Sequence, residues 1–129
     1  MPAPTEFSLY DESFAAAADL STPFLAVEIT AENTVNVCNG AGDYAIGILQ
    51  GKVLSGQSAQ VRLLGRSKAV SDGSGTAISP GDFLKTDNAG KVVKAGTDKD
   101  FAFARALQAS SASGTIIDVL MLGGWHIGV

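Results

Sequence analysis

Two side chains in this chain have reactive chemistry of their own, His126 and Cys38, and each is the sole residue of its type. A hydrolytic triad needs a nucleophile, a base and an orienting carboxylate within hydrogen-bond reach. His126 stands three residues from the end of the sequence, a poor place for the base of such a triad. Cys38 sits in an alternating apolar run with nothing nearby to lower its pKa, so it reads as a small buried hydrophobe and not as a nucleophile. Zinc needs several Cys or His ligands, and one of each is too few. A calcium loop needs alternating oxygen ligands, and neither the Asp72-Gly-Ser-Gly segment nor Asp82 to Asp87 supplies enough carboxylates at that spacing. Asp72-Gly73-Ser74-Gly75 has two glycines but no helix behind it to bind phosphate. The expectation is a protein with no catalytic residue, no metal and no cofactor, one that works through its surface.

The elements that carry this surface read as strands. From Phe24 onward Leu25, Val27 and Ile29 alternate with Ala26, Glu28 and Thr30, Glu32-Asn33 makes a turn, and Val35 and Val37 alternate again. Two strands follow, roughly Ala45 to Gln50 and Ala59 to Gly65, with Arg66 to Val70 continuing the second. Pro80-Gly81 fits a type II turn, and a second hairpin runs from Phe83 to Thr86 and from Lys91 to Lys94. Phe7, Leu9 and Tyr10 suit a short strand. The Phe14 to Leu20 stretch, FAAAADL, is ambiguous between a helical turn and an Ala-rich strand, with propensity favouring helix and Pro23 and the short length limiting it.

One stretch occurs in two versions. Asp43 to Gly65 reads DYAIGILQGKVLSGQSAQVRLLG, and Asp100 to Gly123 reads DFAFARALQASSASGTIIDVLMLG. Asp43, Tyr44 and Ala45 fall on Asp100, Phe101 and Ala102. With one residue inserted before Leu49, the pair Leu49-Gln50 then falls on Leu107-Gln108, Ser55-Gly56 on Ser113-Gly114, and Leu64-Gly65 on Leu122-Gly123. Further back, Pro23 falls on Pro80, Val27 on Leu84 and Val35 on Val92. The expected organisation is an N-terminal arm over 1–14, a single β domain over 15–123 with an internal repeat (20–65 and 77–123), and a C-terminal tail over 124–129. The fold class expected is all-β, a small barrel or sandwich possibly made of two duplicated β units, with an extended N-terminal arm and little helix.

Charge is unevenly distributed. Glu6, Asp11, Glu12, Asp19, Glu28, Glu32 and Asp43 all precede Lys52, the first basic residue, while the remainder carries nine basic and six acidic groups. The acidic lead reads as a solvated face or a dock for a basic partner. Arg62, Arg66 and Lys68 are the nearest thing to a basic patch, and they alternate as solvent-facing strand positions do, so nucleic acid is not an expected partner. No stretch reaches bilayer-spanning length and the N-terminus lacks the features of a signal peptide, so a soluble protein without a membrane partner is expected.

The strings AAADLSTPFLAVEIT, AGDYAIGILQ, SGQSAQVRLLGRSKAV and ISPGDFLKTDNAGKVV, in this order, resemble the capsid cement or decoration proteins of tailed bacteriophages over about residues 15 to 122. The resemblance implies a β-rich structural virion protein, made in the host cytoplasm, that binds the outer surface of an icosahedral head. It further implies a homotrimer with the major capsid protein as partner. Phe7, Tyr10, Phe14 and Trp125, in the acidic lead and the apolar tail, are the candidate interface residues. The alternatives from other classes are a head-surface receptor or glycan-binding protein, which would use exposed aromatics as stacking platforms, and a small β-fold hydrolase built on Ser, His126 and Asp.

Overall fold

A computed structural model describes residues 7–96 and 99–127; for residues 7–9 it defines the backbone only. Nine strands make up the described chain: β1 (Phe7–Ala16), β2 (Ala26–Ala31), β3 (Thr34–Val37), β4 (Gly47–Leu49), β5 (Ser58–Asp72), β6 (Phe83–Thr86), β7 (Val92–Lys94), β8 (Phe101–Ala106) and β9 (Ser113–His126). They pair in the order β1-β3-β2-β4-β5-β7-β6-β8-β9, and β5 also pairs with both β1 and β9. The extra β1–β5 pairing closes the first five strands into a barrel, which decides barrel over sandwich. Strands β6 to β9 attach to the far half of β5 in the same order, β7 touching it through the single pair Ser71–Val92. Among the described residues there is no helix.

The second half repeats the first in register as well as in order. Ala26 pairs with Ile48 and Val27 with Gly47, and 57 residues on, Phe83 pairs with Arg105 and Leu84 with Ala104. The β1–β3 contact is parallel and so is its counterpart β5–β7, against antiparallel pairing elsewhere. Backbone conformations follow the same rule, since left-handed Phe24, Asn33 and Gly42 answer to Gly81, Gly90 and Lys99. The extra residue of the second half lies later than the sequence alignment put it. The Leu49 N–H donates to Leu25 O as the Ala106 N–H donates to Asp82 O, so Leu49 answers to Ala106 and not to Leu107. The bridge Leu20–Val53 matches Ile78–Ser110 before Gly56 matches Gly114, which confines the insertion to the turn before β9. A residue added within a strand would turn every later side chain to the opposite face, whereas a turn absorbs it.

Two apolar clusters form the core. Leu20, Val27, Val35, Leu49, Ala59 and Val61 fill the first barrel, and Ile78, Leu84, Val92, Ala106, Ile117 and Val119 hold the equivalent places in the larger cluster. Strands β2 and β4 are the wall between them. Neighbouring strand residues face opposite ways, so Val27 and Leu49 enter the smaller cluster while Ala26 and Ile48 enter the larger one. This is why β4 is buried along its whole length instead of alternating. Full burial of a Leu- or Ile-sized side chain contributes roughly 1.5–3 kcal/mol, and Phe103, Ile48, Leu49, Ile78, Leu84 and Ile117 are all fully buried.

The ambiguous Phe14 to Leu20 stretch is strand over Phe14 to Ala16, because Ala59, Ser58 and Thr34 offer pairing partners and Ala16 completes the small core. A tertiary ladder of this kind outweighs the helix propensity of a few alanines. The stretch read as an arm splits: residues 1–6 lie outside the described residues, and Phe7 onward is β1. At the other end Trp125 and His126 extend β9, in register with Ala102 and Phe101; residues 128–129 lie outside the described residues.

Candidate functional site

An apolar groove of about 510 Å³ opens where the two halves meet. Strand β1 contributes Tyr10 and Phe14, β2 Ile29, the segment entering β4 Tyr44 and Ile46, β5 Leu63 and Leu64, and β8 Phe101, over a floor of Gly123 and Gly124. Relative exposures of 65% for Tyr44, 55% for Ile29, 47% for Tyr10 and 38% for Leu64 leave large apolar side chains contiguous in water. Isolated exposed hydrophobes are ordinary, but a contiguous set marks a contact surface.

The groove is shaped by aromatic packing. Phe101 lies edge-on to Tyr44 at 4.9 Å and to His126 at 5.3 Å, and Tyr44 meets His126 at 5.7 Å. A Cβ at Gly124 would stand 1.9 Å from Phe101 Cζ, so the ring occupies the place of a missing side chain. His126 is held through Nδ1, 3.1 Å from Lys99 O. It packs against aromatic rings, and among the described residues it has no carboxylate partner.

At one end the groove runs into a smaller hollow of about 420 Å³, sharing Ile29, Tyr44 and Ile46 and adding Glu28, Gly42 and Asp43. Asp43 Oδ2 accepts the N–H groups of Gly40 at 2.8 Å and Asn39 at 3.3 Å. As a carboxylate, Glu28 has one oxygen, Oε2, shut off from solvent with no donor. As a carboxylic acid it hydrogen-bonds to Asp43, and this bond, then burial, then the Asp43 charge push the Glu28 pKa up. The same bond holds Asp43 below the usual carboxylate range. Cys38, buried nearby, is pushed up to about 12, chiefly by burial, which leaves it an inert thiol.

The charges singled out in the sequence are mostly spent internally. Arg62 grips Asp11 with two nitrogens, Nε to Oδ1 at 2.9 Å and Nη2 to Oδ2 at 3.2 Å, and Gln60 adds a bond to the same carboxylate. This pair ties β1 to β5. Arg66 pairs with Asp118 at 2.9 Å. Arg62 and Arg66 are therefore partly buried ion-pair members, and the acidic lead meets its own chain at Asp11. Among the described residues no group of three or more His, Cys, Asp or Glu side chains could hold a metal ion.

Of the sequence candidates, Tyr10 and Phe14 come together on the groove, where Tyr10 also donates its hydroxyl to Glu12. Phe7 is placed only by its backbone, opposite Arg66. Trp125 is elsewhere: half-buried, it meets Phe83 edge-on at 5.3 Å, and the Arg105 guanidinium lies 5.1 Å from that same ring. Ile29, Tyr44, Leu64 and Phe101 were missed. Ile29 shares a face with buried Val27 but lies beyond the barrel's end, and alternation alone does not report where a barrel ends. The Ser71 to Gly75 loop is anchored by buried Ser71, whose hydroxyl bonds to Ser110 Oγ at 2.7 Å, and by the Gly73 N–H donating to Ala112 O.

Among solved structures, the fold is similar to the crystal structure of the head fiber gp8.5 N base of bacteriophage phi29. The TM-score is 0.61 at 16% identity, over 88% of this chain and 93% of that one. No curated protein sequence matches the chain. Residues 16–121 match the profile of the phage cement protein family. With most of its length matched, the chain belongs to the phage cement protein family, as a non-catalytic structural protein of the virion at the outer capsid surface.

Proposed function

We propose that this protein binds the major capsid protein on the outside of an icosahedral head through the groove face and stabilises the shell, acting as a homotrimer. The observation that carries the reading is the contiguous apolar groove of Tyr10, Phe14, Ile29, Tyr44, Leu64 and Phe101, built on a rigid barrel and left in water. The similar phi29 protein is itself part of a head fiber, which supports a place on the head. A trimer presents three such faces, and the second and third contacts engage at high effective concentration, so modest single contacts suffice.

On the same footing we read the two halves as copies of one unit, which accounts for their shared register and shared left-handed positions. Sedimentation of the purified protein alone, and with emptied, expanded shells of its phage, tests the reading. Trimers alone and co-sedimentation with shells are expected. A monomer that stays in the supernatant with shells present contradicts it, and binding to host envelope instead favours the receptor alternative.

A further inference from the structure

The two halves differ in charge at one equivalent place. Glu28 on β2 corresponds to Lys85 on β6, since Glu28 pairs with Asn36 as Lys85 pairs with Val93, both 57 residues on. Asp43 corresponds to Asp100. Asp43 Oδ2 takes the Asn39 N–H at 3.3 Å, and Asp100 Oδ2 takes the Gly96 N–H at 3.2 Å. In the second half Lys85 Nζ lies 3.2 Å from Asp100 Oδ1, an ion pair with both side chains mostly shielded, 23% and 15% exposed. In the first half an acid stands where that lysine stands. Among the described residues neither Glu28 nor Asp43 has an ion-pair partner, and as a carboxylate Glu28 leaves Oε2 without a donor.

We propose that this acidic hollow is a receptor for a Lys or Arg side chain of the capsid shell protein, seated where the chain's own Lys85 sits in the other half. The hollow of about 420 Å³ has room for such a side chain. Its walls, Ile29, Tyr44 and Ile46, suit the aliphatic stem, and its two carboxyls suit the charged head. The adjoining groove takes the apolar neighbours of that cation. The cation comes from outside the chain: all three arginines are already engaged, Arg62 on Asp11, Arg66 on Asp118 and Arg105 on Phe83 and Gly81 O, Lys85 is held by Asp100, and among the described residues no lysine pairs with Glu28 or Asp43. The inference rests on the reading that the groove face meets the shell.

The test compares wild type, Glu28→Gln and Glu28→Lys for thermal stability, self-association and co-sedimentation with emptied, expanded shells. Glu28→Lys copies the second half, so it folds, pairs internally with Asp43 and keeps or raises its melting temperature. Its shell binding falls by about a hundredfold or more, and that of Glu28→Gln by about thirtyfold, the range expected for losing one side of a shielded charge pair. Wild-type binding weakens with added salt more steeply than that of either variant. If both variants bind shells like wild type, the cation receptor is overturned and the shell-binding reading stands. If wild type does not bind shells, both fall. If the variants change self-association with shell binding intact, the hollow serves a second copy and the proposal is overturned. Should Glu28→Lys not fold, the near-isosteric Glu28→Gln decides on its own.

Discussion

Substituting Gly124 by Ala tests how the groove is built, because its effect reverses with the state of one neighbouring ring. The added Cβ would lie 1.9 Å from Phe101 Cζ, 2.6 Å from Cε2 and 2.8 Å from Cε1. These distances are far inside van der Waals contact, so the ring must leave its place against Tyr44 and His126. Overpacking of this kind costs typically 1–3 kcal/mol, and Phe101 also packs on the larger core cluster. We therefore expect Gly124→Ala to destabilise the fold by about 2 kcal/mol, a fall in melting temperature of roughly 8 °C for a domain of this size. In a Phe101→Ala background the obstacle is gone. There the same substitution only stiffens a strand, which favours Ala over Gly by roughly 0.5–1 kcal/mol. Urea unfolding of wild type, the two single variants and the double variant gives the coupling directly, expected at about 2–4 kcal/mol. Equal destabilisation by Gly124→Ala in both backgrounds would refute the reasoning, since the cost would then lie in the backbone and not in the ring.

Three further outcomes are expected. Asp11→Ala removes the carboxylate that accepts two nitrogens of Arg62, itself only 12% exposed, and should lower stability by about 2–3 kcal/mol in urea melts; a change below about 0.5 kcal/mol would show the pair to be as weak as a surface bridge. For Glu28, whose folded pKa lies above its ordinary 4.5, the folded state holds the proton more tightly. Its stabilising contribution is complete below pH 4.5 and is lost as pH rises through the raised folded value, whereas Asp43, lowered from 3.8, loses its contribution as pH falls through its lowered folded value. Glu28→Gln keeps a donor toward Asp43 and cannot ionise, so its melting temperature relative to wild type should climb as pH rises above 4.5; a difference independent of pH speaks against the shared proton. Cys38, buried and pushed up to about 12, should react with a thiol reagent only as fast as the protein opens; rapid labelling in native buffer would contradict its burial.

Strands and turns were legible wherever apolar and polar residues alternate along the chain, as in β3 and β6, because one face of each meets a core and the other is more open. Strand β4 falls inside the expected Ala45 to Gln50 strand, but its burial on both faces, between two clusters, was not legible, because a Gly-Ile-Leu run carries no period that reports it. The Phe14 to Ala16 end of β1 was ambiguous because it is carried by alanines whose pairing partners, Thr34 and Ser58, are distant in sequence. The site was half visible. Tyr10 and Phe14 drew notice as aromatics in a polar lead, while Ile29 and Phe101 looked like ordinary core residues and reach the groove only because the two halves meet there. The charge difference between Glu28 and Lys85 was present in the sequence, and it acquires meaning only once the register shows them to be equivalent.

The measurement that bears most directly on the central claim is hydroxyl-radical footprinting of the protein free and bound to emptied, expanded shells, read residue by residue. Tyr10, Ile29, Tyr44 and Leu64, exposed in the free chain, should become protected on the shell, while exposed Ile116 and Leu107 keep their reactivity. Protection at Ile116 and Leu107 with Tyr44 and Ile29 unchanged would contradict the account and place the docking surface on another face.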